Sequence, residues 1–149
     1  MTKQQLQENL KQAMLARDEL KTSVLRMLIS AITYYEIQRG GAGYEATDED
    51  VLSVVQKEVK QRKDSIEQFK NAGRQELTDK EIKELEILQK YLPVQMNEEE
   101  IKILVKEAIS QTGAKSMTDM GKVMAVLMPK VKGKADGSLV SKIVLEQLK

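Results

Sequence analysis

The sequence predicts an all-α protein: an antiparallel four-helix bundle over residues 1–93, followed by a small three-helix domain over 94–149. Three observations predict it. Apolar residues recur at steps of three and four through most of the chain, the spacing of one helix face. Capping residues open these stretches, and Gly or Pro closes them. Two prolines and eight glycines in 149 residues leave little turn chemistry for an all-β fold.

The first helix is predicted from about Thr2 to Arg17, with Leu6, Leu10, Ala13, Met14 and Arg17 on one face. The second runs from about Glu19 to Gln38. Val24, Leu25, Leu28, Ile29, Ala31, Ile32 and Tyr35 cover so much of its circumference that it should be the most buried helix. Gly40, Gly41 and Gly43 end it in a loop. Thr47 and Asp50 form a capping box for the third helix, in which Leu52, Val55, Val59, Arg62, Ile66 and Phe69 make one stripe. An arginine on such a stripe snorkels to the surface or pairs with a carboxylate across the bundle. The fourth helix is expected to start at a second capping box, Thr78 with Glu81. Its inner face would be Ile82, Leu85, Leu88 and Leu92, and Pro93 would stop it.

In the C-terminal part, Asn97 is an N-cap, and Glu98, Glu99 and Glu100 fill a first turn where negative charge complements the helix dipole. Successive residues fan out around a helix, so the triple Glu reads as capping, not as a metal site. Ile101, Leu104, Val105 and Ala108 face inward, and Gly113 ends the helix. Ser116 with Asp119 is a third capping box. Met117, Met120, Met124, Leu127 and Met128 form the apolar face of the sixth helix, and Pro129 stops it. Gly121 inside that helix costs about 1 kcal/mol against Ala, so either another backbone or a ligand comes close there, and packing is the preferred reading. Asp136, Gly137 and Ser138 open a seventh helix through Leu139, Val140, Ile143 and Val144.

Composition excludes several chemistries. With no His and no Cys, the usual general base at neutral pH, a thiol nucleophile and nearly every zinc site are missing. No metal or other cofactor is expected. Nothing marks a pair of carboxylates or lysines for catalysis, so an independent enzyme is the weakest reading. No apolar run reaches the roughly 18 residues of a membrane span. The N-terminus is polar and reads as no signal peptide, which points to the cytoplasm.

The net charge of +1 is unevenly distributed. Residues 1–113 carry 17 Lys+Arg against 20 Asp+Glu, and residues 114–149 carry 7 against 3, a balance of −3 against +4. The positive excess centres on Lys130, Lys132 and Lys134, just before the start of the seventh helix, with Lys122 and Lys142 on the flanking helices. Unpaired backbone N–H groups at Gly137 and Ser138, the helix dipole and these lysines together suit a phosphate. The same residues also read as a solvated basic loop, since the GxxxxGK[ST] spacing of a nucleotide loop is absent.

MLISAI in the second helix, QKEVKQRKDSIEQFKNAGR in the third, LEILQKYLP in the fourth and DMGKVMAVLMPKVKGKADGSLVS in the last two resemble the YqeY family. The resemblance covers essentially the whole chain, with Ala125 where a Gly is expected. The last 55 or so residues also resemble the tail domain of the B subunit of glutamine-dependent tRNA amidotransferase. The resemblance implies a helical accessory module that helps hold tRNA. By similarity it also brings a carbon–nitrogen ligase label with glutamine as amido-N-donor. In that complex the amidase site, Ser–Ser–Lys, is on another subunit, and kinase and transamidase work belongs to the larger part of the B subunit; neither is present in these 149 residues. The partners implied are tRNA and amidotransferase subunits or another protein, with no membrane and no DNA. With no aromatic residue beyond Tyr91, the C-terminal part cannot stack bases, and RNA would be read through its backbone. The alternative is a helical protein–protein module using the methionine face of the sixth helix.

Overall fold

The computed structural model describes residues 1–149. It is all-α, with seven helices: α1 Lys3–Leu15, α2 Glu19–Gly40, α3 Asp48–Asn71, α4 Gln75–Gln89, α5 Glu98–Thr112, α6 Met120–Val131 and α7 Gly137–Leu148. One 3₁₀ turn, Met117–Asp119, leads into α6. The chain divides into two compact units, Met1–Leu92 and Pro93–Lys149.

In the first unit α1 packs on α2 and α3 on α4, and α2 also touches both α3 and α4. Leu6, Leu25, Leu28, Ile32, Val51, Val55 and Leu88 form the dry centre. Thr2 accepts from the Gln5 N–H and Gln5 returns the bond, so α1 opens with a capping box. Met14, expected on the inner face, is half exposed, and Arg17, also expected there, lies beyond the helix end in a left-handed conformation. The expected Thr47–Asp50 box is present at the start of α3.

Two carboxylates anchor the Gly-rich α2–α3 loop. Asp50 accepts from the Tyr44 hydroxyl at 2.7 Å, the Thr47 N–H at 3.0 Å and the Tyr35 hydroxyl at 2.8 Å. These bonds, that from Tyr44 foremost, hold its carboxyl well below the usual carboxylate range. Glu36 accepts from Lys3 at 2.6 Å and from the Ala46 N–H at 2.9 Å, and it too is lowered, first by Lys3. Gly40 is required here, because a Cβ would stand 2.8 Å from the Tyr44 Cβ.

Arg62 is buried in the first unit and pairs across the α3–α4 interface with Glu81 at 3.1 Å and with buried Glu84. This is the carboxylate pairing expected of an arginine on the apolar stripe. It also reorganises α4. The inner face is Thr78, Glu84 and Leu88, with Leu85 partly buried, while Ile82 turns outward. Hydrophobic spacing misses this because the side chains that α4 buries against Arg62 are charged. Nor does Thr78 cap α4. The helix begins one turn earlier at Gln75, and the buried Thr78 hydroxyl donates to the Arg74 carbonyl at 3.0 Å.

The second unit packs α5, α6 and α7 around Ile101, Val105, Val123, Leu127, Val140, Ile143 and Val144. Asn97 caps α5 and Glu100 completes the box, as Gly113 in the left-handed region closes it. Three expectations for α6 are corrected. Pro129 does not stop the helix, which continues to Val131; Pro129 lacks an N–H, but the Lys132 N–H just past the helix end still reaches the Met128 carbonyl at 3.0 Å. Ser116 makes no capping bond to the helix, because the Asp119 carboxylate accepts from the Lys115 N–H and the first turn is 3₁₀. Gly121 meets no neighbour within 4 Å of a would-be Cβ, so it is not there for close packing. The inner face of α6 is Val123, Leu127 and Val131. Met120 and Met124 flank it, and Met117 and Met128 are exposed.

Candidate anion-binding site in the C-terminal unit

The segment from Lys130 to Ala135 alternates strictly. Val131, Gly133 and Ala135 are buried, and Lys130, Lys132 and Lys134 are exposed. The alternation has a local cause. Val131 and Ala135 belong to the apolar core, and Gly133, at φ +78°, supplies the left-handed turn between them. Main-chain bonds fix the turn: the Lys134 and Ala135 N–H groups both donate to the Val131 carbonyl, at 2.9 and 3.1 Å. The preceding strap holds it from outside. Gln95 Nε2 donates to the Gly133 carbonyl at 2.8 Å, and the Met96 N–H donates to the Lys134 carbonyl at 2.8 Å. The three lysines therefore project from a rigid turn.

The structure brings Lys130, Lys132, Lys134, Gly137 and Ser138 together around the α6–α7 turn. Lys142 is exposed one turn into α7, about 7.5 Å along the axis from Gly137. Lys122 is also exposed, but at the opposite end of α6, about 12 Å along its axis from Lys130. Lys122 is thus outside the turn cluster.

The helix terminus differs from the sequence expectation in one respect. Asp136 caps α7, and its Oδ1 accepts from the Ser138 N–H at 3.0 Å. A carboxylate therefore already uses one of the two backbone donors expected for a phosphate. Capping chemistry explains this, since Asp is among the strongest N-caps. The lysine side chains, more than the helix terminus, are what the turn offers to an anion. The sequence reading also missed an apolar groove beside the turn, lined by Val94, Ile103, Leu104 and Pro129 together with Lys130 and Lys134. Its signal was Ile103, an apolar residue on the outer face of α5.

The family profile described as Yqey-like protein matches residues 3–148. The chain belongs to the YqeY-like family. Among curated relatives of this YqeY-like chain, one named Altered inheritance of mitochondria protein 41, mitochondrial, from Pyrenophora tritici-repentis is 35% identical over 147 residues, covering 95% of this chain and 77% of the relative. Proteins of the same name are 41% identical over 98 residues in Kluyveromyces lactis and 40% over 88 residues in Lachancea thermotolerans. Those two matches cover 63% and 58% of this chain and 51% and 46% of the relatives, so they span about half of the relatives' length. The relatives' names place those proteins in mitochondria. In this chain no helix is long and apolar enough to cross a membrane.

Proposed function

We propose that this YqeY-like chain is a tRNA-binding accessory module with no catalytic site of its own, related to the tail of the tRNA amidotransferase B subunit and working in the cytoplasm. The observation that carries the reading is the rigid turn from which Lys130, Lys132 and Lys134 project, flanked by Lys142. Ammonium groups on a fixed frame contact phosphates without reading bases. The unit has no aromatic residue for stacking, which favours recognition of a folded backbone. Lys122 extends the basic surface to the far end of α6. Gly137 and Ser138 contribute less, because Asp136 already occupies the Ser138 N–H. The carbon–nitrogen ligase label, with glutamine as amido-N-donor, then describes a complex in which this chain assists, and amidotransferase subunits are the natural partners.

A methionine-faced protein-interaction module is the weaker reading. Met120 and Met124 pack against the core, leaving Met117 and Met128 apart at the two ends of the face. The test is a filter-binding or anisotropy titration of tRNA with the full chain and with a Lys130/Lys132/Lys134→Ala variant. Binding that is lost in the variant supports the reading. Equal binding by both proteins, or none by either at low salt, overturns it.

A further inference from the structure

A shallow apolar groove, open to solvent, lies beside the basic turn. It measures about 730 Å³, and all its lining residues lie in the second unit. Val94 is 92% exposed and Ile103 58% exposed, and with Pro129 they form one apolar patch beside the lysines. The bonds from Gln95 Nε2 to the Gly133 carbonyl and from the Met96 N–H to the Lys134 carbonyl tie residues 95–96 to the turn.

Charge specifies the occupant. Lys130 and Lys134 stand in the lining, and neither is engaged by a carboxylate. The one acidic lining residue, Glu100, is turned back to the Asn97 N–H at 2.9 Å as part of the α5 capping box. An aliphatic floor has neither the aromatic rings nor the hydrogen-bonding groups that read a base or ribose, whereas it suits leucine-like anchors. From the aliphatic floor and the lysine rim, we propose that this groove docks an acidic amphipathic helix of a protein partner, with its apolar anchors against Val94, Ile103, Leu104 and Pro129 and its carboxylates on Lys130 and Lys134. Such helices present anchors at i, i+3, i+4 and i+7. The inference does not depend on tRNA binding, although Lys130 and Lys134 belong to both surfaces.

The test uses the full chain and a synthetic, fluorescently labelled amphipathic helix carrying leucines at those spacings and glutamates beside them. Saturable binding in the micromolar range is expected. Ile103→Glu should weaken it at least about tenfold, as loss of a central apolar anchor does. The same peptide with lysines for glutamates should bind at least about tenfold more weakly. Lys132→Ala, outside the groove lining, should leave peptide affinity unchanged. Ile103 is exposed, so Ile103→Glu is expected to keep the wild-type helical circular dichroism, and Ile103→Ser provides a milder second variant. The proposal is overturned by absence of saturable binding, by equal binding of the lysine peptide, or by undiminished binding in both Ile103 variants. It is also overturned if Ile103→Glu weakens tRNA binding and leaves peptide binding intact, which would make the groove an RNA surface.

Discussion

Arg62 offers the sharpest test of how the first unit is held together. It is 6% exposed, and it bonds Glu81 and Glu84, the latter 5% exposed as a residue. Replacing it with alanine leaves the buried Glu84 carboxylate without its ion-pair partner. Removing one member of a buried pair destabilises by about 3–5 kcal/mol. A unit of this size has a total stability of about 5–15 kcal/mol, so Arg62→Ala should lower its melting temperature by at least about 12 °C. The pair is not ideally satisfied, however. Arg62 Nε is buried without a hydrogen-bond partner, a loss of about 1–3 kcal/mol. A double replacement, Arg62→Met with Glu84→Met, removes both charges and that orphan donor, and should recover wild-type stability or exceed it. Glu81 is exposed enough to be solvated by water once its partner is gone. The assay is urea and thermal unfolding followed by tyrosine fluorescence, which reports this unit alone because Tyr34, Tyr35, Tyr44 and Tyr91 all lie in it. If Arg62→Ala costs less than about 1 kcal/mol, or if the double replacement is as unstable as the single one, the ion pair does not organise the α3–α4 interface as argued.

Other expectations follow from the same residues. Asp50 and Glu36 have folded pKa values below their unfolded ones, so their contribution is present above about pH 4 and is lost as pH falls through that value and below; tyrosine-detected melting from pH 7 to 2 should show the loss, and Asp50→Asn should be less stable at pH 7 with a shallower acid limb. Gly121 lies in the first turn of α6 with open space at its Cβ position and no positive φ; Gly121→Ala should stabilise the second unit by up to about 1 kcal/mol, readable from methionine methyl NMR during urea unfolding, and destabilisation would contradict the open environment.

Much of the fold was legible because it rests on spacing and caps. The Thr47–Asp50 box, the Asn97 cap, Gly113 and the inner faces of α2 and α5 depend on local chemistry that a sequence displays. The misreadings have physical causes. Thr78 looked like a cap because Glu81 follows at the right distance, but Glu81 pairs with Arg62 across the α3–α4 interface, a long-range contact, and the buried Thr78 hydroxyl bonds back to the Arg74 carbonyl. Pro129 looked like a stop because an interior proline loses a helix bond and crowds the carbonyl four residues back; here only two helical residues follow it before the turn. The expected face of α6 held Leu127, with Met120 and Met124 at its flank, but missed Val123 and Val131 and included the exposed Met117 and Met128, because spacing alone cannot rank Met against Val. For the candidate site, the lysine alternation was visible. Asp136 as a competitor for the Ser138 N–H and the groove under Lys130 and Lys134 were not, since both depend on how the turn meets residues 93–96.

The most direct test of the tRNA reading is the salt dependence of the binding constant. About four neutralised phosphates give a slope of log K against log salt near −3. The wild-type chain should show that slope, and Lys132→Ala should reduce its magnitude by about 0.7–0.9, the loss of one phosphate contact. A salt-independent binding curve, or a slope unchanged by substitution of any of the turn lysines, would contradict the assignment of the basic turn as the tRNA-binding surface.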